Sequence, residues 1–178
     1  MKMSAHGWFS GLRRIASPNC DSRPPGTVID MLVIHNISLP PGEFGGHAIA
    51  QLFTNALDTQ THPYYAQLKG LKVSAHFLIR RAGEIIQFVP CGKRAWHAGV
   101  STWQGRASCN DFSLGVELEG DDAIPYSDQQ YAALLRLTRR LKRAYPIRHI
   151  VGHSNIAPGR KTDPGSSFDW QRYLAGAK

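Results

Sequence analysis

Val28-Ile29-Asp30-Met31-Leu32-Val33-Ile34-His35-Asn36-Ile37 is almost continuously apolar and closes on a polar pair, His35-Asn36. A short apolar run of this kind predicts a strand buried on both faces, which belongs in a parallel or mixed sheet. Downstream, Pro40-Pro41-Gly42 and Gly45-Gly46 break the chain before a helix expected over 48–57. A loop through Pro63 and Gly70 leads to a strand over 73–80, and Ala82-Gly83 turns it into a second strand over 84–89, a β-hairpin. Residues 112–119 read as a further strand. The longest helix is expected from Ser127 to Tyr145: Ser127 with Gln130 forms a capping box and Pro146 stops the helix. Tyr131, Leu134, Leu135, Leu141 and Tyr145 make its apolar stripe, with Arg136, Arg139, Arg140 and Arg143 on the opposite side. Residues 147–151 predict a short last strand and 168–174 a short helix. Upstream, residues 1–27 are polar, end in Ser22-Arg23-Pro24-Pro25-Gly26 and read as an irregular lead-in to one domain over 28–178. The pattern predicts an α/β fold, a single domain with a central mixed β-sheet flanked by helices.

Composition narrows the class without choosing a function. The chain has 178 residues and 42% hydrophobic content, enough for an ordinary core without disulfides. A formal charge of +8 favours an anionic partner, which nucleic acid, a lipid headgroup or an acidic substrate would each satisfy. No stretch of eighteen consecutive apolar residues occurs, so no transmembrane helix is expected. Residues 1–20 hold no apolar run of signal-peptide length. The three cysteines, Cys20, Cys91 and Cys109, are widely spaced and form neither a disulfide framework nor a C-x-x-C zinc site. Reduced thiols and the absence of an export signal predict a cytoplasmic protein.

Four features carry chemistry. His35-Asn36 ends a buried strand, a common way to present a functional side chain beside a loop, although a histidine hydrogen-bonded at a strand terminus reads the same way. Gly152-His153 closes the strand over 147–151 in the same manner, so two histidines can meet at one edge of a sheet. In Ala157-Pro158-Gly159-Arg160-Lys161-Thr162-Asp163-Pro164-Gly165, Pro164 biases Asp163 toward extended backbone, where Lys161 and Asp163 project to one side. A surface ion pair is the alternative there. In the strand over 112–119, Phe112, Leu114, Val116 and Leu118 take one face, while Glu117 shares the other with the small Ser113 and Gly115. That leaves open space around a carboxylate; a polar face simply meeting solvent is the alternative.

Together these residues fit a zinc hydrolase. His35, His153 and Asp163 supply two neutral imidazoles and a carboxylate, with a fourth zinc position left for water. Glu117 is then the general base and proton carrier, and Lys161 the cation that stabilises the oxyanion. No H-E-x-x-H motif is present, so spacing alone leaves the case open.

Longer stretches carry a resemblance. VIHNISLPPGEFGG from Val33, VSAHFLIRRAGEIIQFVP from Val73, KRAWHAGVS from Lys93, CNDFSLGVELEG from Cys109, GHSNIAPGRKTDPG from Gly152 and the closing FDW are together similar to the 1,6-anhydro-N-acetylmuramyl-L-alanine amidases of the AmpD group. That group lies within the wider amidase family that includes T7 lysozyme and the peptidoglycan recognition proteins. The resemblance spans about Val33 to Trp170. It implies one Zn2+ per chain on His35, His153 and Asp163, with Glu117 and Lys161 as catalytic residues. It also implies an anhydromuropeptide substrate cut at the lactyl-to-L-alanine amide, a cytoplasmic place in cell-wall recycling, and an influence on β-lactamase induction. Substrate-binding roles are expected for Asn36 at the N-acetyl or lactyl region, Trp96 against the sugar, His97 at its polar edge, and Arg106, near Lys72, at the stem-peptide carboxylates. Lys72 and Ser108 stand where some members of the group carry arginine, a difference that bears on carboxylate recognition and leaves the zinc chemistry untouched.

Two other readings were weighed. A non-catalytic peptidoglycan-binding module of the same fold typically lacks a zinc ligand, whereas this sequence keeps the whole set. A nucleic-acid-binding protein would rest on the basic helix alone, with no recognised motif behind it. The expectation is a monomer with no nucleic-acid and no membrane partner. His76 is expected as a satisfied structural histidine and Cys109 as a small buried residue.

Overall fold

The decisive strand, Met31–Ile37, is buried from Met31 through His35 and lies between two parallel neighbours. The computed structural model describes residues 2–177. In chain order its strands are β1 (Arg13–Arg14), β2 (Cys20–Ser22), β3 (Met31–Ile37), β4 (Phe77–Ile79), β5 (Ile85–Gln87), β6 (Lys93–Ala95), β7 (Thr102–Trp103), β8 (Arg106–Ala107), β9 (Ser113–Glu119) and β10 (His149–Gly152). Its helices are α1 (Ala48–Phe53), α2 (Pro63–Ala66), α3 (Asp128–Ala144), α4 (His153–Ile156) and α5 (Trp170–Gly176). Six strands form one mixed sheet in the order β1-β5-β4-β9-β3-β10, in which only the β4–β5 hairpin is antiparallel. The expected α/β single domain with a central mixed sheet flanked by helices is what the structure shows.

α3 fulfils its sequence signals. The Ser127 side chain accepts from Gln130 N at 3.1 Å, Gln130 Oε1 accepts from Ser127 N at 3.1 Å, and the helix stops at Tyr145 before Pro146. Such a cap contributes about 1 kcal/mol. Leu134, Leu137 and Leu141 pack with Leu32, Ile34, Leu114, Val116 and Leu118 from one side of the sheet. Arg136, Arg139, Arg140 and Arg143 are exposed. The other side of β3 packs Met31 and Val33 against Ala98, Cys109, Phe112 and Ile156.

Several boundaries differ from expectation, each for a local reason. β3 begins at Met31 rather than Val28, whose side chain is 57% exposed. α1 ends at Phe53 because Asn55 turns left-handed at φ 61°, a conformation asparagine tolerates and a helix cannot contain. The lead-in over 1–27 is not irregular throughout: β1 pairs parallel to β5 at the sheet edge and β2 pairs antiparallel to β6. Arg23 ties that segment down by donating to the carbonyls of Asn110, Asp111 and Ser113 at 2.9, 2.6 and 2.9 Å. No helix among the described residues is long and apolar enough to cross a membrane.

Candidate active site

Register brings the chemistry together. β3 and β9 run side by side with His35 opposite Glu117, while β10 pairs Gly152 with Ile34 and so delivers His153 beside His35. All three strands present these residues at or near their carboxyl ends, where open α/β sheets bind ligands. His153 starts α4, whose first turn is fixed by Gly152 N donating to Asn155 Oδ1 at 2.8 Å. The loop that follows folds back on this turn: Ser154 N donates to Asp163 O at 3.0 Å, and Tyr126 Oη donates to Pro164 O at 2.7 Å. That return carries Asp163 to the histidines.

His35 Nδ1 and His153 Nδ1 are 3.0 Å apart, and Asp163 Oδ2 lies 3.0 Å from the first and 3.1 Å from the second. Three metal-donor groups thus converge, their ligand atoms all within 4.8 Å of one another. Tetrahedral zinc with bonds of about 2.0–2.1 Å spaces its ligand atoms by ~3.3 Å, so the cluster fits that ion with little movement. The remaining ring nitrogens are already engaged: His153 Nε2 is 3.0 Å from Ala98 O, and His35 Nε2 is 2.9 Å from His97 Nδ1. Burial lowers the His35 pKa to about 4, against the pull of Asp163, so at neutral pH its ring is uncharged, as a metal ligand must be. Burial works against charge on Asp163 as well, but the His153 and His35 rings beside it hold its carboxyl well below the usual carboxylate range.

Glu117 is 8% exposed, and its Oε2 is buried without a hydrogen-bond partner. Burial, helped by the nearby Asp163 charge and opposed by Lys161, raises its pKa well above the ordinary value. A carboxyl at the base of a cleft, with its pKa shifted upward and one oxygen free of protein partners, is equipped to take and return protons. Every residue of β9 is buried, and the room beside Gly115 and Ser113 is taken by the His97 ring rather than left open, so Glu117 lies at the cleft and not on a half-exposed polar face.

These groups line a cleft of about 750 Å³. Asn36, Trp96, His97 and Lys161 line it too, with apolar wall from Leu52, Phe53 and Tyr64. Asn36 Nδ2 donates to Asp122 Oδ1 at 2.8 Å. Trp96 is half-buried at the wall rather than in the core. Arg106 does not join this site: on β8 it pairs with Asp30 at 2.8 Å and stacks 3.6 Å over the Phe112 ring. Asp30 precedes β3, so Arg106 sits at the opposite end of the sheet from His35. Lys72 lines a smaller adjoining pocket with Leu57 and Thr59. Sequence reading passed over Arg160, which lines the cleft and donates to Ala98 O and Val100 O at 2.8 and 2.6 Å. Its position next to Lys161 in the same shaped loop was the available signal. His76 is, as expected, a structural histidine: Nδ1 accepts from Gly115 N at 3.0 Å and Nε2 contacts Lys93 O at 3.1 Å.

The family model for N-acetylmuramoyl-L-alanine amidase matches residues 25–166, a span that holds every one of these cleft groups. The chain belongs to that amidase family. Among its relatives is the 1,6-anhydro-N-acetylmuramyl-L-alanine amidase AmpD of Escherichia coli (strain K12), 57% identical over 169 residues, 94% of this chain and 92% of that protein. A crystal structure of a Se-Met AmpD derivative superposes with a TM-score of 0.97 at 55% identity, covering 100% of both chains. The amidase AmiD from E. coli, solved with the substrate anhydro-N-acetylmuramic acid-L-Ala-D-gamma-Glu-L-Lys, matches at TM-score 0.62 and 29% identity, over 86% of this chain and 60% of that one. Both the amidase fold and the resemblance to the AmpD group are therefore shown.

Proposed function

We propose that this amidase, through its domain over 28–178, hydrolyses the amide between 1,6-anhydro-N-acetylmuramic acid and L-alanine in muropeptides, as a zinc-dependent enzyme. The observation that carries the reading is the convergence of His35, His153 and Asp163 beside Glu117 at the floor of one cleft. Identity of 57% to a relative named for that substrate supports the anhydro form. His35, His153 and Asp163 would hold the zinc, which would supply Lewis acidity and a water nucleophile near neutral pH. Glu117 accepts the proton of the attacking water and passes it to the departing L-alanine amine. Lys161 places its ammonium at the cleft, where charge develops on the scissile carbonyl oxygen. Trp96 offers a flat apolar wall to the anhydrosugar, and the Asn36 amide meets the N-acetyl or lactyl group.

The reading extends to the setting: one zinc per chain, a monomer, and a cytoplasmic role in cell-wall recycling that lowers the muropeptide pool governing β-lactamase induction where that circuit exists. No nucleic-acid or membrane partner enters it. Free Cys20, Cys91 and Cys109 suit a reducing compartment, and every group invoked comes from a single chain.

The test is mass-spectrometric detection of amide cleavage in anhydro-N-acetylmuramyl-tripeptide, with and without a zinc chelator. Release of free tripeptide and 1,6-anhydro-N-acetylmuramic acid, abolished by chelation and restored by zinc, is the expected result. An intact substrate after incubation with folded, zinc-loaded protein overturns the assignment.

A further inference from the structure

The dipeptide His97-Ala98 stands behind both histidines. A backbone carbonyl only accepts, so the 3.0 Å contact of His153 Nε2 with Ala98 O places the His153 proton on Nε2 and leaves Nδ1 bare. His35 is governed by a longer chain. Its Nε2 lies 2.9 Å from His97 Nδ1, His97 Nε2 lies 3.2 Å from Ser113 Oγ, and Ser113 Oγ lies 2.6 Å from Cys109 O. That chain ends on an acceptor, which forces its direction through neutral rings. The Ser113 hydroxyl donates to Cys109, its oxygen accepts from His97 Nε2, and the bare His97 Nδ1 accepts from His35 Nε2. His35 Nδ1 is then bare and faces the bare His153 Nδ1 and the Asp163 carboxylate. Three acceptors at 3.0–3.1 Å with no proton among them call for a cation.

We propose that His97 is a positioning residue that sets the tautomer and orientation of His35 through this directed chain, so that both histidines offer unprotonated Nδ1 atoms to a divalent cation. The inference rests on the metal reading of the site. It also moves His97 away from the sugar-edge role expected of it, because both its ring nitrogens are spent on protein partners. Other contacts hold the dipeptide still: Asn110 Oδ1 accepts from His97 N at 3.1 Å and Ala98 N at 2.8 Å. Opposite the ring, Gly115 leaves room that any Cβ would fill, since a Cβ there would stand 2.5 Å from His97 Cγ.

Zinc affinity measured by chelator competition tests the proposal. His97→Leu should bind zinc about 10- to 100-fold more weakly. His97→Asn, whose Oδ1 can still accept from His35 Nε2, should recover most of that loss. If His97→Leu does not fold, Ser113→Ala carries the test with an expected loss of about 3- to 10-fold, the share of one neutral hydrogen bond. Unchanged zinc affinity in the folded variants, or a raised KM at full zinc occupancy, overturns the proposal. Ring-nitrogen NMR of the metal-free wild type should show protons on Nε2 of both His35 and His97, and a proton on Nδ1 of either overturns it as well. A wild type that takes up no zinc sinks the metal reading, while these spectra still decide the tautomers.

Discussion

At the amino end of β3, Asp30 meets Arg106 across 2.8 Å; at its carboxyl end, His35 meets His153 and Asp163 across 3.0 Å. The two clusters are about 16 Å apart along the strand, and Arg106, like His35, was read from sequence as part of the substrate site. They differ in kind. Arg106 and Asp30 are opposite charges, with the arginine side chain 42% exposed, and such a pair contributes at most about 1 kcal/mol. The carboxyl-end cluster sets acceptor against acceptor; Asp30 Oδ1 and Glu117 Oε2 are each buried without a partner, but only Asp30 has a cation on its other oxygen. Polar groups buried without mutual satisfaction cost stability, and a fold retains them where something outside the chain completes them.

The sharpest break of that contrast is Glu117→Gln. Amidase activity should fall about 10²- to 10⁴-fold, the contribution of a general acid–base group. Zinc content should be unchanged, because Glu117 is not one of the three converging donors. The metal-free variant should also be more stable than wild type at neutral pH. Burial holds the Glu117 pKa above its unfolded value, so the native state binds the extra proton and wild-type stability falls as pH rises between the two values. Below the unfolded carboxylate range both states are protonated and the stability difference should vanish. Urea denaturation at several pH values, beside a zinc assay, checks both halves. A variant that lost zinc together with activity would mean that Glu117 serves as a ligand.

Lys161→Ala should rank next, with kcat reduced about 10²- to 10³-fold and zinc affinity kept, as expected of an oxyanion partner. An effect confined to KM would make Lys161 a binding group only. Gly115→Ala should follow. Its added methyl would meet the His97 ring at 2.5–2.7 Å, and overpacking of this kind costs about 1–3 kcal/mol. Thermal denaturation measures that loss, which a tolerant His97 ring would erase.

How much of this was legible in the sequence follows the same divide. The convergence of His35, His153 and Asp163 beside Glu117 and Lys161 could be read because each sits where local rules are strong: a strand end, a period-two face, an extended residue before proline. The capping box of α3 was legible for the same reason. Arg106 was misplaced because a basic residue in a loop-rich stretch carries no local sign of which sheet end it joins. The contact of His97 with Ser113 was invisible, because nothing in RAWHAG shows that a serine sixteen residues on would take its second nitrogen. The docking of Arg23 onto the carbonyls around Asn110 was likewise invisible, since a side chain meeting backbone across 87 or 88 positions leaves no pattern.

Arg106→Ala gives the smallest expected effect and addresses the opening contrast most directly. The substitution removes the contact with Asp30 and the 3.6 Å stacking over Phe112, and touches nothing that lines the cleft. Stability should fall by about 1 kcal/mol or less, because the guanidinium is substantially solvated and the stacked cation lies at the surface. KM for an anhydromuropeptide with a carboxylate-bearing stem should stay within about twofold, a change below 0.5 kcal/mol. Steady-state kinetics on that substrate decide the point. A tenfold rise in KM would mean that the stem peptide reaches the far end of the sheet, and would restore Arg106 to the binding surface.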